Sequence, residues 1–316
     1  MIYDLLSGIL WAMDTVLIGI ILTSEYFTKT NKIVFLAPFI SAFLHDMFSS
    51  LWMTLYMIIN KKLYRVIKIL KTKNGKIIML ASILGGPIGM TSYLLSINLI
   101  GPSYTAMISS IYPAIGALFS HIFLKEKINK ISIIGLLISI SGIIILGYSK
   151  GNEETSSILG LIFAISCVIS WALEAVICAY GMKDSDVSPE ESLQIRQFIL
   201  ALTYGTFIIP IINGVKFALE IISTSVINYI FLISLLGTSS YVFYYKAINR
   251  IGVTRAMVLN ISYAAWSVIL EIVLLGNKIN IKSMISCVLI IIGSILTVGD
   301  INEIRRIFLK IESKGQ

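Results

Sequence analysis

Two histidines and three cysteines in 316 residues leave little material for metal or nucleophilic chemistry. Cys167, Cys178 and Cys287 fall inside apolar runs with neither paired nor ligand spacing, so they are expected to serve as small packing residues rather than as a disulfide framework or a metal set. There is no Walker loop, no zinc-ligand spacing and no Ser/His/Asp arrangement on plausible loops. The chain therefore offers no catalytic constellation and no energy source of its own. Charge is also scarce, at 13% of residues against about a quarter in soluble domains. No polar stretch is long enough for a separate soluble domain.

What is abundant is apolar. The hydrophobic share is 57% and the mean hydropathy +0.89, more apolar surface than a soluble fold can hide. A helix needs about 20 residues to cross roughly 30 Å of hydrocarbon. Windows of that length place spans near 2–22, 33–59, 77–99, 103–124 and 131–149, then near 157–181, 192–212, 225–248, 254–275 and 281–299. The expectation is an all-α membrane protein of ten transmembrane helices with short polar connectors such as Lys125-Glu126-Lys127 and Lys183-Asp184-Ser185-Asp186. The first apolar segment lacks a basic leader region and runs past any small-residue cleavage site, so it reads as a retained span.

The net charge of +8 suggests nucleic acid only until its distribution is inspected. The densest basic run is Lys61, Lys62, Arg65, Lys68, Lys71, Lys73 and Lys76, between the second and third spans. Setting that connector in the cytoplasm gathers seventeen Lys and Arg on its side, including Arg250, Arg255, Arg305, Arg306, Lys310 and Lys314, and leaves six opposite. This positive-inside asymmetry predicts cytoplasmic N- and C-termini and argues against a nucleic-acid partner.

The two halves resemble each other. Trp11-Ala12-Met13-Asp14 recurs 160 residues later as Trp171-Ala172-Leu173-Glu174. At an offset of 151, Ile97-Asn98-Leu99-Ile100-Gly101 recurs as Ile248-Asn249-Arg250-Ile251-Gly252, Tyr93 meets Tyr244, Tyr112 meets Tyr263, and Lys127-Ile128-Asn129 meets Lys278-Ile279-Asn280. Five spans in each half make the second half enter the membrane from the opposite side. Residues 1–150 and 155–300 are thus expected to be inverted five-helix repeats, with 301–316 a short cytoplasmic tail. Inverted repeats are a device of secondary transporters, in which a midplane site opens to each side in turn.

An ionisable group inside the bilayer is costly unless it faces a cavity or a partner, which makes each one a candidate site. Those here are Asp14, His45, Asp46, Glu174, Arg196, Lys246 and Glu271. Glu174 lies close to one turn after Trp171, so indole and carboxylate can look into one cavity, a combination that suits a cation. Trp11, Tyr112, Tyr241, Tyr244, Tyr245, Tyr263 and Trp266 fall on spans that would line the same cavity. Tyr3, Trp52, Tyr56, Tyr64, Tyr148 and Tyr229 sit near span ends, where interfacial enrichment accounts for them. Trp and Tyr faces around a quaternary ammonium contribute ~0.5–2 kcal/mol each, and such a cation has no N–H to satisfy.

Other features remain open. Gly85-Gly86-Pro87-Ile88-Gly89 is expected to open the third span, and Tyr112-Pro113 interrupts the fourth, either turning Tyr112 toward a pore or kinking the helix for packing alone. His45-Asp46 reads as a buried pair that serves proton coupling or simply holds two helices together. Arg196-Gln197 follows Glu190 and Glu191, which suggests an interfacial or gating salt bridge. Lys246 and Glu271 are either buried partners or snorkelling groups.

Together these residues resemble the drug/metabolite transporter superfamily and its EamA-type members. Gly86-Pro87-Ile88-Gly89-Met90, Ile111-Tyr112-Pro113-Ala114-Ile115, Ser170-Trp171 with Glu174, Ile195-Arg196-Gln197, Ala247-Ile248-Asn249-Arg250 and Leu259-Asn260-Ile261-Ser262-Tyr263 with Trp266 are similar to its lic-locus choline permease branch. The resemblance implies import of choline, for decoration of surface polymers, across a bacterial cytoplasmic membrane. It implies an aromatic cage on Trp11, Tyr112, Trp171, Tyr241, Tyr245 and Tyr263, with Glu174 as anionic partner. Trp266 is a further candidate for the binding site, and Asp14, His45, Asp46 and Asn260 are candidate coupling or gating positions. Asp14 and Lys246 depart from the branch, where small or apolar residues stand. No cofactor or metal is implied; the partners are a small cation and the bilayer. An alternative on the same scaffold is an exporter of other metabolites or cationic drugs.

Overall fold

A computed structural model describes residues 2–150, 157–183, 187–276 and 281–298. The Lys278-Ile279-Asn280 half of one repeat match, residues 184–186 of the sixth connector and the 301–316 tail lie outside them. All regular structure among the described residues is helical. In chain order the helices are α1 (Ile2–Leu22), α2 (Glu25–Thr28), α3 (Asn31–Ile59), α4 (Leu63–Leu70), α5 (Lys73–Ile83), α6 (Thr91–Ser109), α7 (Tyr112–Leu124), α8 (Lys130–Lys150) and α9 (Ile158–Met182). Then follow α10 (Pro189–Thr203), α11 (Ile209–Ile211), α12 (Val215–Ile222), α13 (Val226–Ile251), α14 (Val253–Ile261), α15 (Tyr263–Leu275) and α16 (Ile281–Val298).

Among the described residues, seven helical stretches are long and apolar enough to cross a membrane: Leu5–Leu22, Asn31–Ile59, Lys73–Gly101, Thr105–Leu124, Ile158–Met182, Val226–Ile251 and Val253–Leu275. Two shorter apolar helices, Lys130–Leu146 and Ile281–Thr297, accompany them. The stretch from α10 through α11 is helical but carries Glu190, Glu191 and Arg196, which lower its apolarity. Rows of exposed apolar residues, such as Ile158, Ile162, Ile165 and Ile169 on α9, face outward as lipid-facing surface does.

Breaks in the helices follow their sequence. Leu84–Met90 around Pro87 widens into a π-helical turn between α5 and α6, because proline cannot donate to the carbonyl behind it. This Gly-Pro segment sits mid-span, not at the opening of the span where the sequence placed it. Gly101 and Gly252, at the same position of the two sequence repeats, both break the chain at positive φ (80° and 89°), with ψ of 160° and 164°. At the N-terminus of α10, Ser188 and Glu191 form a reciprocal capping box.

Packing is paired across the chain. α1 packs against α13 and α15, as α9 packs against α6 and α7. α8 and α16 run antiparallel, with Ser132 Oγ donating to the Thr297 carbonyl at 2.7 Å and Ser139 Oγ to the Ile290 carbonyl at 3.3 Å. Gly135 meets Gly293, and Gly142 meets Ser286 and Ile290, so small residues let the two backbones approach closely.

Connectors cluster at the two ends. Arg65 of α4 bonds Glu191 at 2.9 Å, Lys246 bonds Glu190 at 3.1 Å, Lys183 donates to the Leu124 carbonyl, and the Glu126 carboxylate accepts from Val253 N at 2.9 Å. At the other end Phe27 of α2 meets Phe217 of α12 edge to face, centroids 5.7 Å apart. The basic connector of 60–76 thus shares its end of the bundle with Lys183, Glu190, Glu191 and the connectors at 125–129 and 250–254.

Candidate functional site

A chamber of about 590 Å³ lies among α1, α6, α7, α8, α9, α13, α14 and α15. That is within the roughly 300–1,000 Å³ of small-ligand sites. Among the described residues, seven rings face it: Trp11, Tyr93, Tyr112, Trp171, Tyr241, Tyr244 and Tyr263. Glu174, Glu271, Asn260, Thr15 and three serines, Ser109, Ser110 and Ser267, supply its polar groups. From the mid-helix residues Trp171 and Glu174, the lining extends to Ala106, Leu146 and Glu271, near the ends at Gly101, Lys150 and Leu275. The chamber thus reaches toward the end that holds α2 and α12, and away from the Glu126 and Arg65 contacts.

Several of the rings meet edge to face. Trp11 meets Tyr263 edge to face (centroids 6.5 Å, 83°) and Trp171 meets Tyr112 likewise (5.8 Å, 80°), the same pairing in both halves. Trp11 also meets Tyr241 at 4.9 Å, and Tyr93 lies 5.2 Å from Trp171. The Trp171 indole N–H donates to the Gly85 carbonyl at 3.1 Å, which fixes the ring from behind. The break between α6 and α7 sets Tyr112 at the head of α7, where its ring reaches the chamber.

Close approach of α9 to the π turn depends on glycine. A Cβ on Gly85 would lie 1.7 Å from Glu174 Oε2, and one on Gly89 would lie 2.8 Å from the Trp171 ring. No larger residue fits without moving the site.

Glu174 does not stand alone. Arg196 of α10, buried at 4% exposure, donates through Nε to the Glu174 carboxylate, through Nη1 to Gln197 Oε1 at 2.9 Å and through Nη2 to the Tyr241 hydroxyl at 3.1 Å. Its guanidinium also lies over the Tyr241 ring, 4.2 Å from the centroid. The sequence suggested an interfacial or gating salt bridge for Arg196; of the two, the interfacial one does not form, since Glu190 and Glu191 are engaged with Lys246 and Arg65 and Arg196 reaches inward to Glu174. Lys246 accordingly points to the bundle end and not into the chamber.

Two expected binding positions land elsewhere. Tyr245 is 2% exposed and behind the lining, its hydroxyl 3.4 Å from Cys178 Sγ, because it is turned about 100° around α13 from Tyr244. Trp266 lies off the α15 stripe of Tyr263, Ala264, Ser267, Val268 and Glu271 that faces the chamber. Asp14 turns from the chamber to α3, where its Oδ1 lies 2.9 Å from His45 Nε2. Asp46 Oδ1 is 3.7 Å from the other His45 nitrogen, so the three form one buried cluster. Asn260 does line the chamber and donates through Nδ2 to Ser7 Oγ at 2.9 Å.

Tyr93, Tyr244, Glu271 and Arg196 complete the site. Tyr93 and Tyr244 are partners in the internal repeat, and Arg196 stands 151 residues after His45, a signal present in the sequence.

The model of the EamA-like transporter family matches this chain twice, over residues 1–148 and 158–299. The chain belongs to that family. Protein LicB of Haemophilus influenzae is 33% identical over 304 residues, which is 94% of this chain and 96% of that protein. An uncharacterized transporter of Clostridium kluyveri is 24% identical over 182 residues, 56% of this chain and 57% of its own. A crystal structure superposes with a TM-score of 0.65 over 92% of this chain and 95% of that one; at 16% identity it shows the fold alone. The EamA-family membership makes this chain a multi-pass membrane transporter, with a small-molecule substrate and membrane lipid as its surroundings.

Proposed function

We propose that this EamA-family protein imports choline or a closely related quaternary ammonium compound across the bacterial cytoplasmic membrane by alternating access. The observation that carries the reading is the chamber itself: seven π faces in one cavity with two carboxylates. A quaternary ammonium gains from ring quadrupoles and asks for no hydrogen-bond acceptor, so such a lining suits it better than a neutral polar solute. Arg196 neutralises Glu174 in place, which leaves the rings as the main attraction and Glu271 near the open end as the remaining acid in the lining.

In this reading the two shorter apolar helices and the 189–211 stretch complete ten spans, arranged as two inverted five-helix repeats, 1–150 and 155–300. Support comes from the paired Trp–Tyr geometry, the matched breaks at Gly101 and Gly252, and the twofold pattern of α8 on α16, where 135–293 and 142–286 exchange under an offset of 151. The basic connectors share one end with Arg65 and Glu126, so the positive-inside rule sets that end, with both termini, in the cytoplasm. The chamber then faces outward, as import requires of the loading state.

Uptake of radiolabelled choline into proteoliposomes tests the proposal. Saturable uptake, weakened by Trp171→Ala, is expected. Indifference to choline together with efflux of cationic drugs sinks it and leaves an exporter.

A further inference from the structure

Each half holds the same buried acid–base pair, with one difference. Asp14 follows Trp11 as Glu174 follows Trp171, and His45 precedes Arg196 by the repeat offset of 151. In both halves the acid of the first long helix bonds the base of the second: Asp14 to His45 Nε2, Glu174 to Arg196 Nε. The next residue then turns a second oxygen to the base, Asp46 Oδ1 at 3.7 Å from His45 and Gln197 Oε1 at 2.9 Å from Arg196. A glycine of the opposite half backs each pair. A Cβ on Gly237 would lie 2.5 Å from His45 Nε2 and 2.9 Å from Asp14 Oδ1, as one on Gly85 would strike Glu174.

The difference is titration. Arginine keeps its proton in proteins, whereas histidine gains or loses one near neutral pH. One pair is therefore fixed and the other can switch. We propose that Asp14, His45 and Asp46 form a proton-binding site that loads and unloads as the transporter changes conformation, a proposal that rests on the transport reading above.

The chemistry is a simple transfer. A neutral imidazole takes one proton from water at a ring nitrogen and becomes imidazolium, with an N–H toward each carboxylate; release returns that proton to water, and no other bond changes. The groups that pair with His45 are Asp14 from α1 and Asp46 from α3 itself, and Gly237 on α13, having no side chain, leaves them the space they occupy. Asp46 in turn lies within electrostatic reach of Tyr241 on α13 and Tyr204 on the segment after α10.

Coupling to the chamber runs through α1. Trp11 and Thr15 line the cavity from one side of that helix while Asp14, between them, grips His45 from another. A movement of α1 over α3 that closes the chamber separates acid from base. An imidazolium left in the bundle without Asp14 is disfavoured, and the proton leaves. A ligand and a proton that both prefer one conformation bind with reciprocal coupling.

Two measurements test this separately from the substrate reading. In proteoliposomes holding a pH-sensitive dye, choline entry by the wild type should acidify the lumen, with uptake changing up to about tenfold per pH unit across the titration. His45→Gln, which keeps an N–H donor for Asp14 but cannot carry the proton, should lose the proton signal and flatten the pH profile to within about twofold, while choline–choline exchange, which needs no net proton movement, persists within about twofold. Proton entry by His45→Gln equal to wild type, or loss of exchange together with entry in a folded His45→Gln protein, overturns the proposal. Absence of choline uptake in wild type sinks only the substrate reading, and the site is then read by nitrogen NMR of His121→Gln in nanodiscs, where His45 is the single ring. A doubly protonated ring at pH 7 that becomes neutral on adding Asp14→Asn supports the site. A neutral ring without Asp14→Asn, or a ring that ignores Asp14→Asn, overturns it.

Discussion

The Arg196 guanidinium donates to the Glu174 carboxylate inside the bundle, so the acid that lines the chamber is already paired with the protein's own cation. Breaking such a buried pair on one side costs about 3–5 kcal/mol, because the other charge is left uncompensated. Glu174→Gln and Arg196→Gln are each expected to lower unfolding stability by that order. The double variant should be far less damaged than the sum, with an interaction energy of at least about 1 kcal/mol in a double-mutant cycle. Additive losses in chemical unfolding would show that the two charges do not depend on each other. Loss of uptake in Glu174→Gln alone is therefore no measure of substrate contact.

The rings are the better probe of ligand binding. Trp171→Ala removes a wall shared with Tyr93 and Tyr112. At ~0.5–2 kcal/mol per cation–π contact, choline Kd should rise roughly 2- to 30-fold. Trp171→Phe keeps a π face and should recover part of the affinity. Calorimetric titration of the purified protein reads both, and an unchanged Kd in Trp171→Ala removes the cage.

Tyr244 and Tyr245 are neighbours with opposite expected effects on binding. Tyr244 lines the chamber, whereas the Tyr245 hydroxyl meets Cys178 in the packed interior. Tyr244→Leu should weaken choline binding more than twofold and, because Tyr244 is also buried and packed on Tyr241 and Tyr245, lower thermal stability too. Tyr245→Phe, which loses one hydrogen bond, should cost about 1 kcal/mol of stability and leave Kd within twofold. The reverse pattern in binding assays would restore Tyr245 to the site.

At Gly85 the added methyl group has nowhere to go. It would overlap the Glu174 carboxylate and disturb the carbonyl that holds the Trp171 indole. Gly85→Ala should cost about 1–3 kcal/mol by overpacking and raise choline Kd as well. Gly19→Ala is the control: nothing lies within 4 Å of its Cβ, and alanine in a helix is about 1 kcal/mol better than glycine. Equal behaviour of the two variants would argue that α9 and the π turn are not in close contact.

Apolar length was enough to mark the seven described stretches long enough to cross a membrane, because apolar length is a local signal. Trp11, Trp171, Tyr112 and Tyr263 could be named from the repeat and do share the chamber. Direction around a helix was harder. Asp14 and Glu174 both follow a tryptophan by three residues, yet Asp14 turns to His45 while Glu174 stays in the lining; only the neighbouring helix decides. Tyr245 and Trp266 failed for the same reason, one residue in α13 or α15 being worth about 100° of rotation. The Glu174–Arg196 pair joins α9 to α10, and the Gly85 contact joins α9 to the π turn; both are tertiary contacts that spacing does not encode.

The last prediction concerns the end opposite the chamber mouth. Glu126, after α7, accepts from Val253 N at 2.9 Å, Thr254 N at 3.4 Å and Thr254 Oγ1 at 3.1 Å, so a carboxylate of the first half caps α14 of the second. Such an anionic cap is worth about 0.5–2 kcal/mol. The alternating access proposed above requires this end to part when the chamber closes outward. Glu126→Gln keeps the acceptor but drops the charge, which weakens the conformation with the cap intact by about 1 kcal/mol. One kcal/mol moves a two-state equilibrium roughly fivefold. Thr15→Cys, at an exposed position in the chamber, should then react about fivefold more slowly with a membrane-impermeant thiol reagent applied from outside when Glu126→Gln is added, provided the cap-intact state is the minority. Native Cys167, Cys178 and Cys287 are buried and give a low background. An unchanged rate with a measurably destabilised Glu126→Gln protein would show that the cap serves folding and not the gate.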